Sequence, residues 1–251
     1  MNRPVFHLAL GALASVGLTA QAQVQLSGAG YTQSFDGLDA GLPTGWSVRT
    51  GASGTGLGTS TSFATSPYNW SGTGAGYHNY ASSAGLTAGA SPSAQLAAAN
   101  RALGLRQSGT FGDPGAAFVL EIAHTLGVRS LALSFDFLVL DEEGRSTTWT
   151  ADYALGANPS SFASLGSFSR DVWGGQTEQF TLPPSVDNQP ETLWIRLVAL
   201  QASTGAGSRD SYALDNFQLA YVPVPEPGAW SSMAGLGLLA FALVRSRRAA
   251  V

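Results

Sequence analysis

Between residues 65 and 82 the chain gathers side chains of the kind that recognise sugars. Tyr68, Trp70, Tyr77 and Tyr80 offer four aromatic rings, Asn69 and Asn79 two amides, and His78 stands among them; Gly72, Gly74 and Gly76 lie in between. Aromatic faces cover the C–H face of a pyranose while amides bind its hydroxyls, so a carbohydrate platform is one expectation for this loop. The competing one is that Trp70 and Tyr80 close the end of a core and the glycines only turn the chain.

A second group is acidic. Asp36, Asp210, Asp215 and Asn216 are candidates for a structural calcium centred on Asp36 and Asp215, with Asp113 and residues 141–143 elsewhere. Calcium needs about six to eight oxygens, and with no contiguous Asp-x-Asp-x-Asp loop they would come from distant segments. The alternative is that Asp215 and Asn216 cap backbone groups at a strand bend. No cofactor is certain.

Nothing in the chain reads as catalytic. Of the three histidines, His7 lies in the N-terminal leader and His124 follows an alternating strand. No Gly-x-Ser-x-Gly, His-Glu-x-x-His or phosphate loop occurs. Asp141, Glu142 and Glu143 precede Gly144 and read as a solvated hairpin tip rather than as the carboxylate pair of a glycosidase. Arg106 and Arg209, in glycine-rich surroundings, are expected to clamp buried carboxylates as structural pairs. No catalytic residue is assigned, and a non-enzymatic role is expected.

The elements that must position these residues are strands. Helical periodicity is confined to an alanine-rich stretch at 93–102, whereas period-two alternation recurs. Phe118, Leu120 and Ile122 share a face; so do Leu131, Leu133, Phe135, Phe137 and Val139, opposite Ser130, Ala132, Ser134 and Asp136. Trp149, Ala151 and Tyr153, then Leu193, Ile195 and Leu197, then Phe217, Leu219 and Tyr221 continue the pattern. Many half-buried strands in one 200-residue unit predict an all-β fold, a two-sheet antiparallel jelly-roll sandwich. No internal repeat suggests a propeller or solenoid.

The two ends of this body carry a resemblance. Phe35, Asp36 and Gly37, followed by Gly41-Leu42-Pro43-Thr44-Gly45-Trp46, resemble the opening strand of secreted jelly-roll modules, among them galactose-binding-like and carbohydrate-binding domains. The run from Tyr212 to Leu219, with Asp215 and Asn216 interrupting it, resembles their closing strand. The resemblance implies that first and last strands are neighbours, which would bring Asp36 towards Asp215.

Composition bounds the setting. The chain has no cysteine, so disulfides, thiolate nucleophiles and cysteine-ligated metals are excluded. It divides into a leader (1–22), a body (23–222) and a tail (223–251). The leader has one arginine, an apolar run over 5–18 and the small-x-small triplet Ala20-Gln21-Ala22, the layout of a secretory signal peptide cleaved before Gln23. The body holds eight arginines, no lysine and fifteen carboxylates, a net charge of −7. That balance disfavours nucleic acid, which needs a basic footprint. It suits neutral, hydrated surroundings.

The tail begins with Val224, Pro225, Glu226 and Pro227, continues through seventeen uncharged residues (228–244) that include Trp230, and ends on Arg245, Arg247 and Arg248. Seventeen residues make a helix of roughly 25 Å, close to a hydrocarbon core of about 30 Å. Positive charge stays cytoplasmic, so the arginines form a stop on that side and the body lies outside. The whole tail resembles the PEP-CTERM sorting signal of Gram-negative bacteria. The resemblance implies recognition of Pro225, Glu226 and Pro227 by an exosortase, a membrane protease-transpeptidase, with 228–244 as a transient inner-membrane transmembrane helix. It also implies a cell-surface or matrix destination and an exopolysaccharide partner. A secreted glycan-active enzyme and a purely structural matrix protein without ligand stay open as alternatives.

Overall fold

The structure, a computed structural model, describes residues 22–224. In chain order the strands are β1 (Gly30–Gln33), β2 (Trp46–Thr50), β3 (Thr59–Ser60), β4 (Phe63–Tyr68), β5 (Gly76–Ala81), β6 (Arg101–Arg106), β7 (Ala117–Ile122), β8 (Val128–Asp141), β9 (Arg145–Ser146), β10 (Thr148–Leu155), β11 (Ala163–Ser169), β12 (Gly174–Thr181), β13 (Leu193–Val198), β14 (Thr204–Gly205) and β15 (Ser211–Pro223); one helix, α1, spans Pro92–Ala97. Outside the described residues lie the expected signal peptide but for its last residue, the motif Pro225, Glu226 and Pro227, the apolar span 228–244, and Arg245, Arg247 and Arg248. Among the described residues no helix is long and apolar enough to cross a membrane.

Two sheets face each other in the expected jelly-roll sandwich. The larger runs β12-β8-β15-β6-β5-β4, with β1 also paired to β15; the smaller runs β11-β10-β13-β7-β2-β3. The alternating faces predict the core well. Phe118, Leu120 and Ile122 of β7, Leu133, Phe135 and Phe137 of β8, Trp149 of β10, Ile195 and Leu197 of β13, and Phe217 and Leu219 of β15 all enter one buried cluster. Burying each large apolar side chain contributes about 1.5–3 kcal/mol, which is how a sandwich without disulfides holds together. First and last strands are neighbours: β1 pairs antiparallel with β15, Tyr31 opposite Leu219. The ring of Trp46 ties the opening to the closing strand, lying edge-on to Phe35 at 4.9 Å and to Phe217 at 5.0 Å while its indole N–H donates to the Tyr31 hydroxyl at 2.8 Å.

Two expectations need correction. The sandwich is not wholly antiparallel, because the edge strand β4 pairs parallel with β5. The alanine-rich stretch is helical only at Pro92–Ala97, where Ser91 caps the first turn by accepting from the Ala94 amide and Pro92 takes a position that needs no N–H donor. Residues 101–106 are instead strand β6, because Leu103 and Leu105 bury in the sandwich core while Ala102 packs on the outer side.

Both outer faces are partly roofed. On the smaller sheet, Leu57 and Phe162 pack against a buried layer of Ala52, Ala117, Val119, Trp194 and Val198. On the larger sheet, Leu86, Ala90, Ala98 and Trp173 pack over Trp70, Tyr80, Ala102, Leu138, Leu140 and Ala213. That second roof covers one half of the larger sheet only.

Candidate functional site

The aromatic loop turns inward. Tyr77 points into the sandwich, donating to the Arg49 carbonyl (2.7 Å) and accepting from the Ala117 amide (2.8 Å). Tyr80 is fully buried on the opposite face, its ring lying across Gly104, where a Cβ would sit 1.9 Å from its Cδ2. Trp70 is buried under the roof; its indole N–H donates to the Ala81 carbonyl (2.9 Å) and its amide to Gln95 (2.8 Å). Asn79 is buried too, accepting from Arg101 Nε at 2.7 Å and donating to the Thr65 carbonyl. Tyr68 stacks on His78 at 4.1 Å, and the glycine loop closes over the pair: the Gly74 amide donates to the Tyr68 hydroxyl and its carbonyl bonds His78 Nε2 at 2.8 Å. Burial holds the His78 pKa below the usual imidazole value, against the opposing effect of the Gly74 carbonyl. Only Tyr68 and Asn69 of the expected platform are half-exposed. The correction has a physical cause: this aromatic set supplies its own hydrophobic cluster and leaves no row of ring faces for a sugar.

The uncovered half of the larger sheet is where the structure presents a surface. Its outer face there comes from β12, β8, β15 and β1, whose register aligns Gln179 with Ser134, Ser134 with Gln218, and Gln218 with Thr32. These four side chains form a cross-strand row of amides and hydroxyls, three of them exposed and Ser134 half-buried. Ala132, Thr181 and Ala220 continue it into a groove of about 400 Å³, and Ser34 and Asn216 border an adjoining one of about 250 Å³; Gln218 lines both. Neither groove is lined by an arginine or a carboxylate.

A bulge in β15 sets the border of this surface. Between Asp215 and Gln218 the register with β8 shifts, and Asn216 adopts a left-handed conformation with φ 47°. Asparagine tolerates that region better than most residues, and a bulge re-aims the side chains around it. Here the Asn216 amide swings onto Asp136 (2.9 Å to Oδ2), which also accepts from the Thr177 hydroxyl at 2.6 Å. Asp136 is thereby engaged by Asn216 and Thr177 outside the lining of both grooves.

Asp36 and Asp215 are brought into one neighbourhood but not into a cage. Exposed Asp36 accepts from the Arg101 amide at 2.9 Å, whereas Asp215 is buried and accepts from the amide of Asn216 at 2.7 Å. Burial pushes the Asp215 carboxyl up to about 6; the Ser82 hydroxyl and the Asn216 amide oppose that, and Asp36 and Asp136 add to it. Among the described residues no group of three or more histidines and carboxylates is gathered that would hold a metal ion. Two carboxylates so differently placed do not fit a calcium site, and the backbone-capping role is the one Asp215 performs. Its burial also keeps it from a glycosidic oxygen.

The arginine clamps are present as expected. Arg106 bonds Asp141 (2.7 Å) and Glu143 (3.2 Å), so these carboxylates are paired rather than simply solvated, while Glu142 turns away to accept from the Trp173 amide. Arg209 pairs with Asp113, which also accepts from the Ser203 amide and hydroxyl, each at 2.6 Å. Burial alone would raise the Asp113 carboxyl; the Ser203 bonds and Arg209 outweigh it and hold it below the usual range.

No protein-family model matches the chain, and no curated protein matches it. Among solved structures it is similar to the K1 cleaved adhesin domain of Lys-gingipain from Porphyromonas gingivalis W83, at 15% identity over 76% of this chain and 98% of that one, with a TM-score of 0.43. It is also similar to the CBM22-1 xylan-binding domain of Paenibacillus barcinonensis Xyn10C, at 13% identity over 80% of this chain and 100% of that one, again with a TM-score of 0.43.

Proposed function

We propose that this is an exported surface protein whose body holds neutral exopolysaccharide on the open half of its larger sheet. The leader carries it across the inner membrane, and the apolar segment 228–244 retains it there until an exosortase-like protease cuts near Pro225, Glu226 and Pro227. The product associates with the cell surface or extracellular matrix. The observation that carries the binding reading is the Gln179–Ser134–Gln218–Thr32 row beside a groove free of charged side chains. Amides and hydroxyls at fixed cross-strand spacing match the repeated hydroxyls of an extended glycan, and the shallow alanine floor lets a chain approach the backbone. The body's net charge of −7 favours neutral over anionic chains.

Affinity electrophoresis of the full chain in detergent tests the binding. Neutral xylan or glucomannan should retard the protein, alginate should not, and Gln179→Ala combined with Gln218→Ala should weaken retardation at least tenfold. Equal retardation of the double variant, or none of the parent, would reject this face as the site and favour a structural matrix protein. Sorting is tested separately by the intact mass of the protein recovered from cells. A form ending near Pro227 is expected, and one retaining Val251 would overturn the processing.

A further inference from the structure

We infer that the end of the sandwich from which the chain leaves is seated on a phospholipid surface, with Leu126 and Val222 in the headgroup layer. The inference rests on the reading of residues 228–244 as a membrane span. The strand β15 stays paired almost to the last described residue: Val222 lies opposite Arg129 and Pro223 opposite Val128, and the Val224 amide donates to the Gly127 carbonyl at 2.7 Å. Only Pro225, Glu226 and Pro227 separate this pinned residue from Gly228. Fully extended, the four steps from Val224 to Gly228 span no more than about 14 Å. The headgroup region takes up about 5–8 Å on that side of the hydrocarbon core, so even a fully extended tether carries Val224 no more than about 6–9 Å beyond the headgroups and keeps this end of the body against the membrane.

The surface around the exit suits that position. Four large apolar side chains are exposed among the described residues, Leu96, Leu126, Val172 and Val222, and two of them flank the exit. Leu126 is 48% exposed at the turn whose next residue, Gly127, accepts from Val224; Val222 is 46% exposed on the last strand. Exposed Arg129, Val222's partner in register, supplies a guanidinium for lipid phosphate. Asp187 at this end is engaged by the Ser130 amide and Glu191 is exposed, so the attraction is chiefly apolar rather than electrostatic.

The cysteine-free chain allows a direct test. Single variants Leu126→Cys, Val222→Cys, Ala206→Cys at the opposite end and Leu236→Cys in the middle of the span are labelled with nitrobenzoxadiazole. Each full chain is reconstituted in vesicles of phosphatidylethanolamine and phosphatidylglycerol. Headgroup-level spin-labelled lipid should quench the labels at 126 and 222 several-fold more than that at 206, and chain-deep spin label should quench that at 236. Quenching at 126 and 222 no greater than at 206, with 236 still quenched, overturns the seating and leaves the span reading intact. An unquenched label at 236 removes the span reading and the inference with it.

Discussion

Arg196 of β13 and Asp152 of β10 are partners in register and form a doubly bonded ion pair, Nε to Oδ1 at 2.8 Å and Nη2 to Oδ2 at 2.6 Å, with both side chains buried. The same guanidinium donates to the carbonyls of Gly56 (2.7 Å) and Ser53 (3.1 Å) and lies 3.3 Å over the Phe162 ring, so it fastens the roof of the smaller sheet. Removing one partner leaves a buried charge uncompensated. Asp152→Ala should therefore cost about 3–5 kcal/mol in urea unfolding. Arg196→Met should in addition speed hydrogen exchange at the Gly56 amide, which bonds the Ser53 carbonyl; unchanged exchange there would separate the ion pair from the roof.

Gly104 is demanded by the ring it supports. A methyl group there meets Tyr80 at 1.9 Å, and Tyr80 lies in the roofed cluster with Trp70 and Leu138. Gly104→Ala should destabilise the protein by about 1–3 kcal/mol through overpacking. The urea midpoint and the near-ultraviolet circular dichroism report it, and a wild-type value of both would mean that the ring moves aside freely.

Trp70 and the polar row should separate stability from binding. Trp70→Ala empties a buried site and should cost about 3–5 kcal/mol, yet leave glycan retardation unchanged at temperatures where the variant is folded. The Gln179→Ala, Gln218→Ala pair should do the reverse, since exposed polar side chains contribute little to folding. Loss of binding in folded Trp70→Ala would return the site to the aromatic loop.

The Asp215 carboxyl makes stability depend on pH. Its folded value of about 6 exceeds the ordinary 3.8, so between those values the folded state binds more protons than the unfolded one. Stability is therefore favoured by acid and declines as pH rises from about 4 to 6, levelling off above. Asp215→Asn removes the ionisation while keeping an acceptor for the Asn216 amide. It should stabilise the protein by about 2–3 kcal/mol at pH 8 and by little at pH 4. Denaturant midpoints at the two pH values measure the difference; an equal gain at both would locate the effect in packing rather than charge.

The fold was legible where burial is one-sided. Phe135 and Phe137 against Ser134 and Asp136 announce both a strand and its inward face, and the core follows from such alternation. The candidate site was less legible because it lies on the faces that alternation leaves blank. Ser134 is recognisable as an outward residue, but β12 has Phe180 alone to mark it among Gln176, Thr177, Glu178 and Gln179, and an edge strand polar on both faces has no period to read. Register then joins Gln179 to Gln218 through Ser134, a relation of sheet order rather than sequence spacing. The aromatic loop misled for the opposite reason. Residue types suited to a sugar are equally suited to a small core, and only the glycine at 104, across a strand pair, reveals which they serve.

The position of β15 has a mechanical consequence. It lies inside the larger sheet, bonded to β8 along one side and to β6 and β1 along the other, and the tail continues from its end. Were the tail anchored and a glycan held across the same sheet, as proposed, a tug between them would act along the axis of that strand. Its cross-strand bonds would then share the tension together, as in shear, instead of parting one after another as in a peeled hairpin. Under the proposed tether and grip, the sheet would place its strongest direction between the two.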